Sequence, residues 1–547
     1  MNYTYDNDSR LTQVTDPTGT YQFTFDPSAA LRAGFMGRLT GTSTQYAFLT
    51  SRAFTASYGY DAASNRTSFT DPESGSSSYV YDTLNRLQTL TPPAAFGAGS
   101  FGLGYDALSR RTSLTRPNTV NTSYGYDTLS RLLSVTHAKG GATLDGATYT
   151  VDNAGNRTAK SDLYAGVTTN YGYDNIYELL SATQGGSTTE SYTYDPVGIR
   201  LTALGSAAWS YNTSNELNSR PGVSYAFDYN GNTIVKTDST GSTSYTWDYE
   251  NRLTSVILPG SGGTVSFKYD PFGHRIYKSS TSGTSIYAYD GDNLVEETNS
   301  SGAAVARYSQ GLNIDEPLVM LRGGVTNYYE ADGLGSLISL SNTSGTLANT
   351  YNYDSFGNLV ASSGSIVNSF RYTGREFDAE TNLYYYRARY FDPQAGRFLS
   401  EDPIRFAGSV NFYSYVSNNP VLRIDPSGLI HQAWNEPPYD GRLHSDPGAG
   451  LEVLCTKGRN LQQDIWWLQY SIAVRFVELV REGDKADFGH IKRLVEETIT
   501  LIRCKDKCDG EKKPEPEPAP DNLNEQNWWQ QFQQYMKQHP FNPFFVS

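Results

Sequence analysis

The 547-residue chain is rich in tyrosine (42), glycine (50), serine and threonine, and carries a formal net charge of -14. That length holds either several ordinary domains or one long repeat array with an appendage; a composition poor in helix formers and rich in residues that suit half-buried strands selects the second, as an all-β body. An acidic surface excludes nucleic-acid binding by the body, which would need basic groups to release phosphate counterions, and no run approaches the roughly 18 apolar residues of a membrane span.

The opening MNYTYDNDSR has neither the basic nor the apolar region of a secretory signal. A chain made in the cytoplasm with this start reaches the cell surface or the medium only through a specialised system. From here an aromatic-x-aromatic-Asp core recurs at Asp6, Asp61, Asp82, Asp106, Asp127, Asp152, Asp174 and Asp195, and with substitutions at Asn212, Asp228, Asp248, Asp270 and Asp290. The period is about twenty residues, the mark of a repeat architecture. In YVYDTLNRLQTLT, Tyr79 and Tyr81 alternate on one face of a strand, Asp82 opens a turn containing Asn85 and Arg86, and Leu87 begins the returning strand. Repeated at short range, such hairpins predict a continuous antiparallel sheet that spirals, each burying its aromatic ladder against its neighbours. The aspartates read as turn formers that accept backbone N–H bonds, since no constant set of further oxygen ligands accompanies them.

YxYD followed by NRL at this period resembles the YD repeats of Rhs and toxin-complex C proteins, with relatives among the teneurins. ADGLGS, Ala331 to Ser336, resembles a second element of that family, with Glu330 where histidine is usual. Gly374 to Leu429 resembles the Rhs repeat-associated core domain along its whole length. The resemblance implies a hollow β-shell over residues 1–330, closed at one end by a core domain over 331–429.

The core domain is rich in aspartate: Asp378, Asp392, Asp402 and Asp425, the last three each followed by proline. Such pairs read first as rigid turn makers. Two carboxylates sharing a partly buried pocket behave differently, because like charges a few ångströms apart do not both ionise easily. One acid and one base with a water between them can attack a peptide carbonyl, in the manner of an aspartic protease. PVLRIDPSGL matches the PxxxxDPxGL element after which family members cleave themselves, at Pro420, Asp425, Pro426, Gly428 and Leu429. The resemblance therefore implies a scissile bond between Leu429 and Ile430, a catalytic pair of Asp402 with Asp425, and single-turnover self-cleavage. Arg397, five residues before Asp402, is expected to hold one carboxylate ionised by a charge-assisted hydrogen bond, with a plain ion pair as the simpler reading.

Beyond Leu429 the composition changes, and all three cysteines (Cys455, Cys504, Cys508) lie there. Helical periodicity at 461–483 and 488–508 predicts a small helical domain over 430–510. A Pro-rich linker over 511–522 follows, then an amphipathic tail over 523–547 whose Trp528, Trp529, Phe532 and Tyr535 suit either a core face or a partner or membrane surface. The cysteine spacing with His490 matches no closed zinc motif, so neither a metal nor another cofactor is expected. In the family this position carries a variable toxic cargo, so the resemblance implies a carrier that encloses and releases an effector. Candidate partners are then a cognate immunity protein, a secretion apparatus and a protein sealing the open end of the shell. The rival reading is a cell-surface, adhesive repeat protein with a non-toxic C-terminal remnant.

Overall fold

The computed structural model describes residues 1–26, 37–206, 208–405 and 409–429, with the backbone of Gln432–Ala433. The helical domain, linker and tail expected beyond Leu429, and the three cysteines, lie outside the described residues. Residues 1–402 and the segment from Asn411 through the cleavage motif belong to one compact unit, and its architecture is mainly antiparallel β. An 18-stranded sheet runs from Asn2–Tyr5 to Arg200–Ala203 and a 16-stranded sheet from Ser210–Tyr211 to Leu359–Ser363. In both, strands pair with their neighbours in sequence, as in Tyr79↔Leu90 and Tyr328↔Ser341. The predicted single continuous sheet is thus interrupted once. After Ala203 the chain turns, Trp209 tucks against Leu217 and Ala395, and pairing restarts at Ser210. A four-stranded sheet of Glu376–Asp378, Leu383–Tyr386, Arg389–Asp392 and Arg397–Phe398 follows.

The repeat has a mechanical explanation. Asp82 Oδ1 accepts the backbone N–H groups of Leu84 and Arg86 at 2.9 and 3.0 Å, closing the turn, while Oδ2 accepts Arg86 Nε at 2.7 Å. Asn85 takes a left-handed φ of 58°; Ser109, Ser130 and Gly155 do the same in later turns, which is why short polar residues or glycine recur three positions after the aspartate. Arg86 then lies over the ring of Tyr105 at 4.8 Å and donates to the Asp106 carbonyl at 3.1 Å. Tyr105 in turn donates its hydroxyl to the Leu87 carbonyl at 2.9 Å. Each turn is therefore fastened to the next by an arginine and a tyrosine. The same hydroxyl-to-carbonyl bond recurs at Tyr81, Tyr126, Tyr173, Tyr269 and Tyr353. In most repeats a bulge falls just before the residue that precedes the turn aspartate, as between Val80 and Tyr81 or Thr246 and Trp247, and increases local twist.

The two large sheets share cores. Tyr79, Leu90 and Phe101 of the first pack with Val295, Val319 and Tyr328 of the second. On the opposite face of the second sheet, Tyr308, Met320 and Tyr329 pack with Phe370. Covered on both faces, its strand Pro317–Arg322 opens with a continuous apolar run, PLVML, rather than an alternating one.

Replacing Tyr105 with phenylalanine removes one inter-repeat hydrogen bond and is expected to lower the unfolding free energy by about 1 kcal/mol. Tyr79→Ala, which empties a ring's volume from a shared core, is expected to cost about 3 kcal/mol or more. Urea midpoints at constant m-value report both; equal effects would refute the distinction between fastening and core positions.

Candidate active site

The cleavage motif is held in place along its length. Tyr372 donates to the Pro420 carbonyl at 3.1 Å, and Arg157 Nη1 to the Val421 carbonyl at 3.0 Å. Through Nη2 the same arginine binds the Gly333 carbonyl at 2.8 Å, so ADGLGS serves as a turn that seats the motif against the first sheet. Asp332 closes that turn by accepting the Leu334 and Ser336 N–H groups and pairs with Lys160 at 2.9 Å. Glu330, at the position where histidine is usual, is fully buried; it accepts the Ser341 hydroxyl and is pushed up to about 7 by burial.

Further along, Arg375 Nη1 donates to the Pro426 carbonyl at 2.6 Å, the Ala388 N–H to the Ser427 carbonyl at 3.2 Å and Arg389 Nε to the Gly428 carbonyl at 2.5 Å. Gly428 sits at φ 72°, and a Cβ there would lie 2.1 Å from the Tyr386 carbonyl oxygen. The DPxGL glycine is thus required both for its backbone angle and for close approach. Within the motif, Arg423 and Ile424 pair antiparallel with Ala433 and Gln432.

Asp402 and Asp425 come together at this loop. Arg389 Nη2 lies 3.0 Å from Asp402 Oδ2 and 3.4 Å from Asp425 Oδ2, which bounds the separation of the two oxygens by the sum of those distances. All three side chains are about 97% buried. The guanidinium is fixed from three other directions: Nε on the Gly428 carbonyl, Nη1 on the Phe412 carbonyl at 3.0 Å, and its face 3.7 Å from the Phe398 ring centre. Asp425 Oδ1 accepts the Leu429 N–H at 3.0 Å, placing this carboxyl on the residue whose carbonyl belongs to the expected scissile bond. Burial raises Asp425 above the ordinary carboxylate range; Arg389, the Leu429 and Gly428 N–H groups and Arg375 oppose this without cancelling it.

Arg397 is placed elsewhere. It donates to the Asn215 carbonyl at 2.8 Å and stacks 4.5 Å from Tyr413 and 5.4 Å from Tyr211. The charge-holding place expected for Arg397 is taken by Arg389, which sequence proximity did not reveal. The signal available was the repeated arginine of YYYRARYFDP, whose strand is apolar throughout except for this residue and its closing aspartate. Of the other core-domain aspartates, Asp378 pairs with Arg275 and Lys278, and Asp392 closes its own turn and meets Lys236 at 3.2 Å. Neither belongs to the Asp402–Asp425 cluster.

The hairpin ladder and the core domain at its end define a YD-repeat shell. Residues 157–421 match the family model described as teneurin YD-shell, and residues 104–142 match the RHS repeat. These matches place Rhs and YD-shell repeats over residues 104–142 and 157–421 of the chain. It is 31% identical over 264 residues to the tRNA3(Ser)-specific nuclease WapA of Bacillus spizizenii, a match covering 45% of this chain and 11% of that protein. It is also 36% identical over 103 residues to the toxin protein Tse5 of Pseudomonas aeruginosa, covering 19% of this chain and 8% of Tse5. The chain thus spans about a tenth of the length of these relatives. Among solved structures, the TcdB2-TccC3-Cdc42 crystal structure shares the fold, with a TM-score of 0.65 at 19% identity over 77% of this chain and 24% of that one.

Gly428→Ala is expected to displace the Asp425–Leu429 turn, and with it the Leu429 N–H from Asp425, while leaving the repeat ladder folded. Unchanged β-sheet circular dichroism with self-cleavage reduced tenfold or more is the expected outcome; normal cleavage would show that the turn tolerates the shift.

Proposed function

We propose that this chain is a toxin carrier whose core domain cuts the polypeptide once, between Leu429 and Ile430, and frees residues 430–547 as an effector. The observation that supports the reading most directly is the buried pair Asp402 and Asp425 on a single arginine beside Leu429. One guanidinium balances one carboxylate, so the pair is best neutralised with one acid protonated. Burial raises Asp425 above the ordinary carboxylate range, which supports giving it the proton and Asp402 the role of base. Asp402 takes a proton from a water as the water oxygen attacks the Leu429 carbonyl carbon. Asp425 supplies its proton toward the departing Ile430 nitrogen. The C–N bond breaks, a carboxyl forms on Leu429 and an amine on Ile430, and no cofactor is consumed.

The similarity to WapA and Tse5 supports a toxic role for the released piece, and the repeat shell supports a carrier that holds it. Export through a specialised system and neutralisation by a cognate immunity protein follow from the same reading.

Freshly translated wild-type chain is expected to yield two bands on a denaturing gel, with Ile430 as the new N-terminus. Asp402→Asn and Asp425→Asn are each expected to slow cleavage about a hundredfold or more. An intact wild-type band, or a cut in Asp425→Asn at the wild-type rate, would refute the mechanism. The pH dependence has a definite sign. Because the folded state raises Asp425, it binds that proton more tightly than the unfolded chain does, so stability falls as pH rises through the folded value. Cleavage falls over the same range, as the acid loses its proton. Asp425→Asn is expected to flatten this limb of the stability profile while slowing cleavage as above.

Production of residues 430–547 in bacteria is expected to arrest growth, and co-production of the protein encoded next to this gene to restore it. Unimpaired growth would favour the adhesive reading.

A further inference from the structure

Cleavage needs more than two carboxylates and Arg389, because the Asp425–Leu429 loop must hold one peptide bond still. Three consecutive carbonyls inside that loop, those of Pro426, Ser427 and Gly428, are bound by donors from Arg375, Ala388 and Arg389. Arg389 acts from within the carboxylate pair. Arg375 acts from outside it and touches neither Asp402 nor Asp425.

Arg375 is 2% exposed and is itself fixed. Its Nη1 meets Asp315 Oδ2 at 2.6 Å while also holding the Pro426 carbonyl, and its Nε donates to the Thr373 carbonyl at 3.2 Å. Asp315, at the end of the NID turn between two strands of the second sheet, is shared with Arg387 at 2.5 Å. The carbonyl immediately after the acid is therefore tied, through one arginine, to a carboxylate about a hundred residues earlier in the chain. The repeat sheet thereby sets the position of the cleavage loop.

The charges around Asp425 are Arg389, Asp402 and Arg375, with the Tyr415 hydroxyl also facing it. Those around Arg375 are Asp315, Arg387, and the hydroxyls of Tyr386 and Tyr415. Two arginines thus act on Asp425, one in contact and one at a distance. The distant one anchors the loop as well as contributing charge.

We propose that Arg375 is a positioning residue for self-cleavage, fixing the Asp425–Leu429 turn through the Pro426 carbonyl, with Asp315 as its anchor. The inference rests on the cleavage reading above. Removing the positive charge raises Asp425 further, so the falling limb of the cleavage rate against pH moves to higher pH; restoring a cation at 375 returns it.

The test is pulse-labelled translation of the full chain followed by a chase at a series of pH values, for wild type, Arg375→Met, Arg375→Lys and Asp315→Asn. Circular dichroism on the same proteins reports the fold. Arg375→Met is expected to cleave tenfold or more slowly with its falling limb displaced upward. Arg375→Lys is expected to regain the wild-type limb with part of the rate, and Asp315→Asn to slow cleavage without displacing the limb upward. Wild-type rate and limb in Arg375→Met would overturn the inference alone, and a slowed Arg375→Met with an unmoved limb would overturn its electrostatic half. An uncut wild type would overturn the cleavage reading and this inference with it.

Discussion

The structure depends on one local clasp, an aspartate that closes a turn on its own backbone while gripping the arginine four residues on. In isolation the Asp82–Arg86 ion pair is a partly exposed surface contact of small value. Its consequence is geometric. The carboxylate aims the guanidinium along the sheet, over Tyr105 and onto the Asp106 carbonyl. The tyrosine before the next aspartate reaches back to the preceding strand. Each such hairpin therefore specifies where the next must lie, and these weak clasps acting in series, five of them Asp–Arg pairs among the described residues, fix the long ladder on which the core domain is built.

This local character explains what the sequence makes legible. The turn aspartate, the αL residue three positions later and the tyrosine pair all act within about twenty residues, so a single unit such as YVYDTLNRLQTLT contains its own explanation. The interruption after Ala203 is not local: Trp209 is drawn to Ala395, nearly two hundred residues away. The strand Pro317–Arg322 departs from alternation for a similar reason, since its second face is covered by Phe370 and its neighbours.

The candidate site divides along the same line. Asp402, Asp425, Pro420, Gly428 and Leu429 stand out through a linear motif, and the structure gathers them. The arginine does not, because distance along the chain misleads. Arg397 is five residues from Asp402, yet its side chain runs to Asn215, Tyr211 and Tyr413. Arg389 is thirteen residues away, yet the strand it lies on carries it between the Phe412 and Gly428 carbonyls and into the carboxylate pair. Arg375 and Asp315 are more distant still, and only the bond of Arg375 to the Pro426 carbonyl connects the pair to the motif.

The balance of charge gives these distant residues their weight. Two buried carboxylates with one contacting guanidinium hold one negative charge too many unless one acid keeps its proton, and burial supplies the bias by raising Asp425. In the proposed cleavage, a second contacting cation would favour ionising both acids and so remove the proton donor, whereas none in contact would favour protonating both and so remove the base. Arg389 in contact and Arg375 at a distance satisfy both limits. Because Arg375 is anchored on Asp315, which lies between two strands of the repeat sheet, the proposed cleavage would depend on that sheet and the core domain having come together, coupling folding of the ladder to cutting.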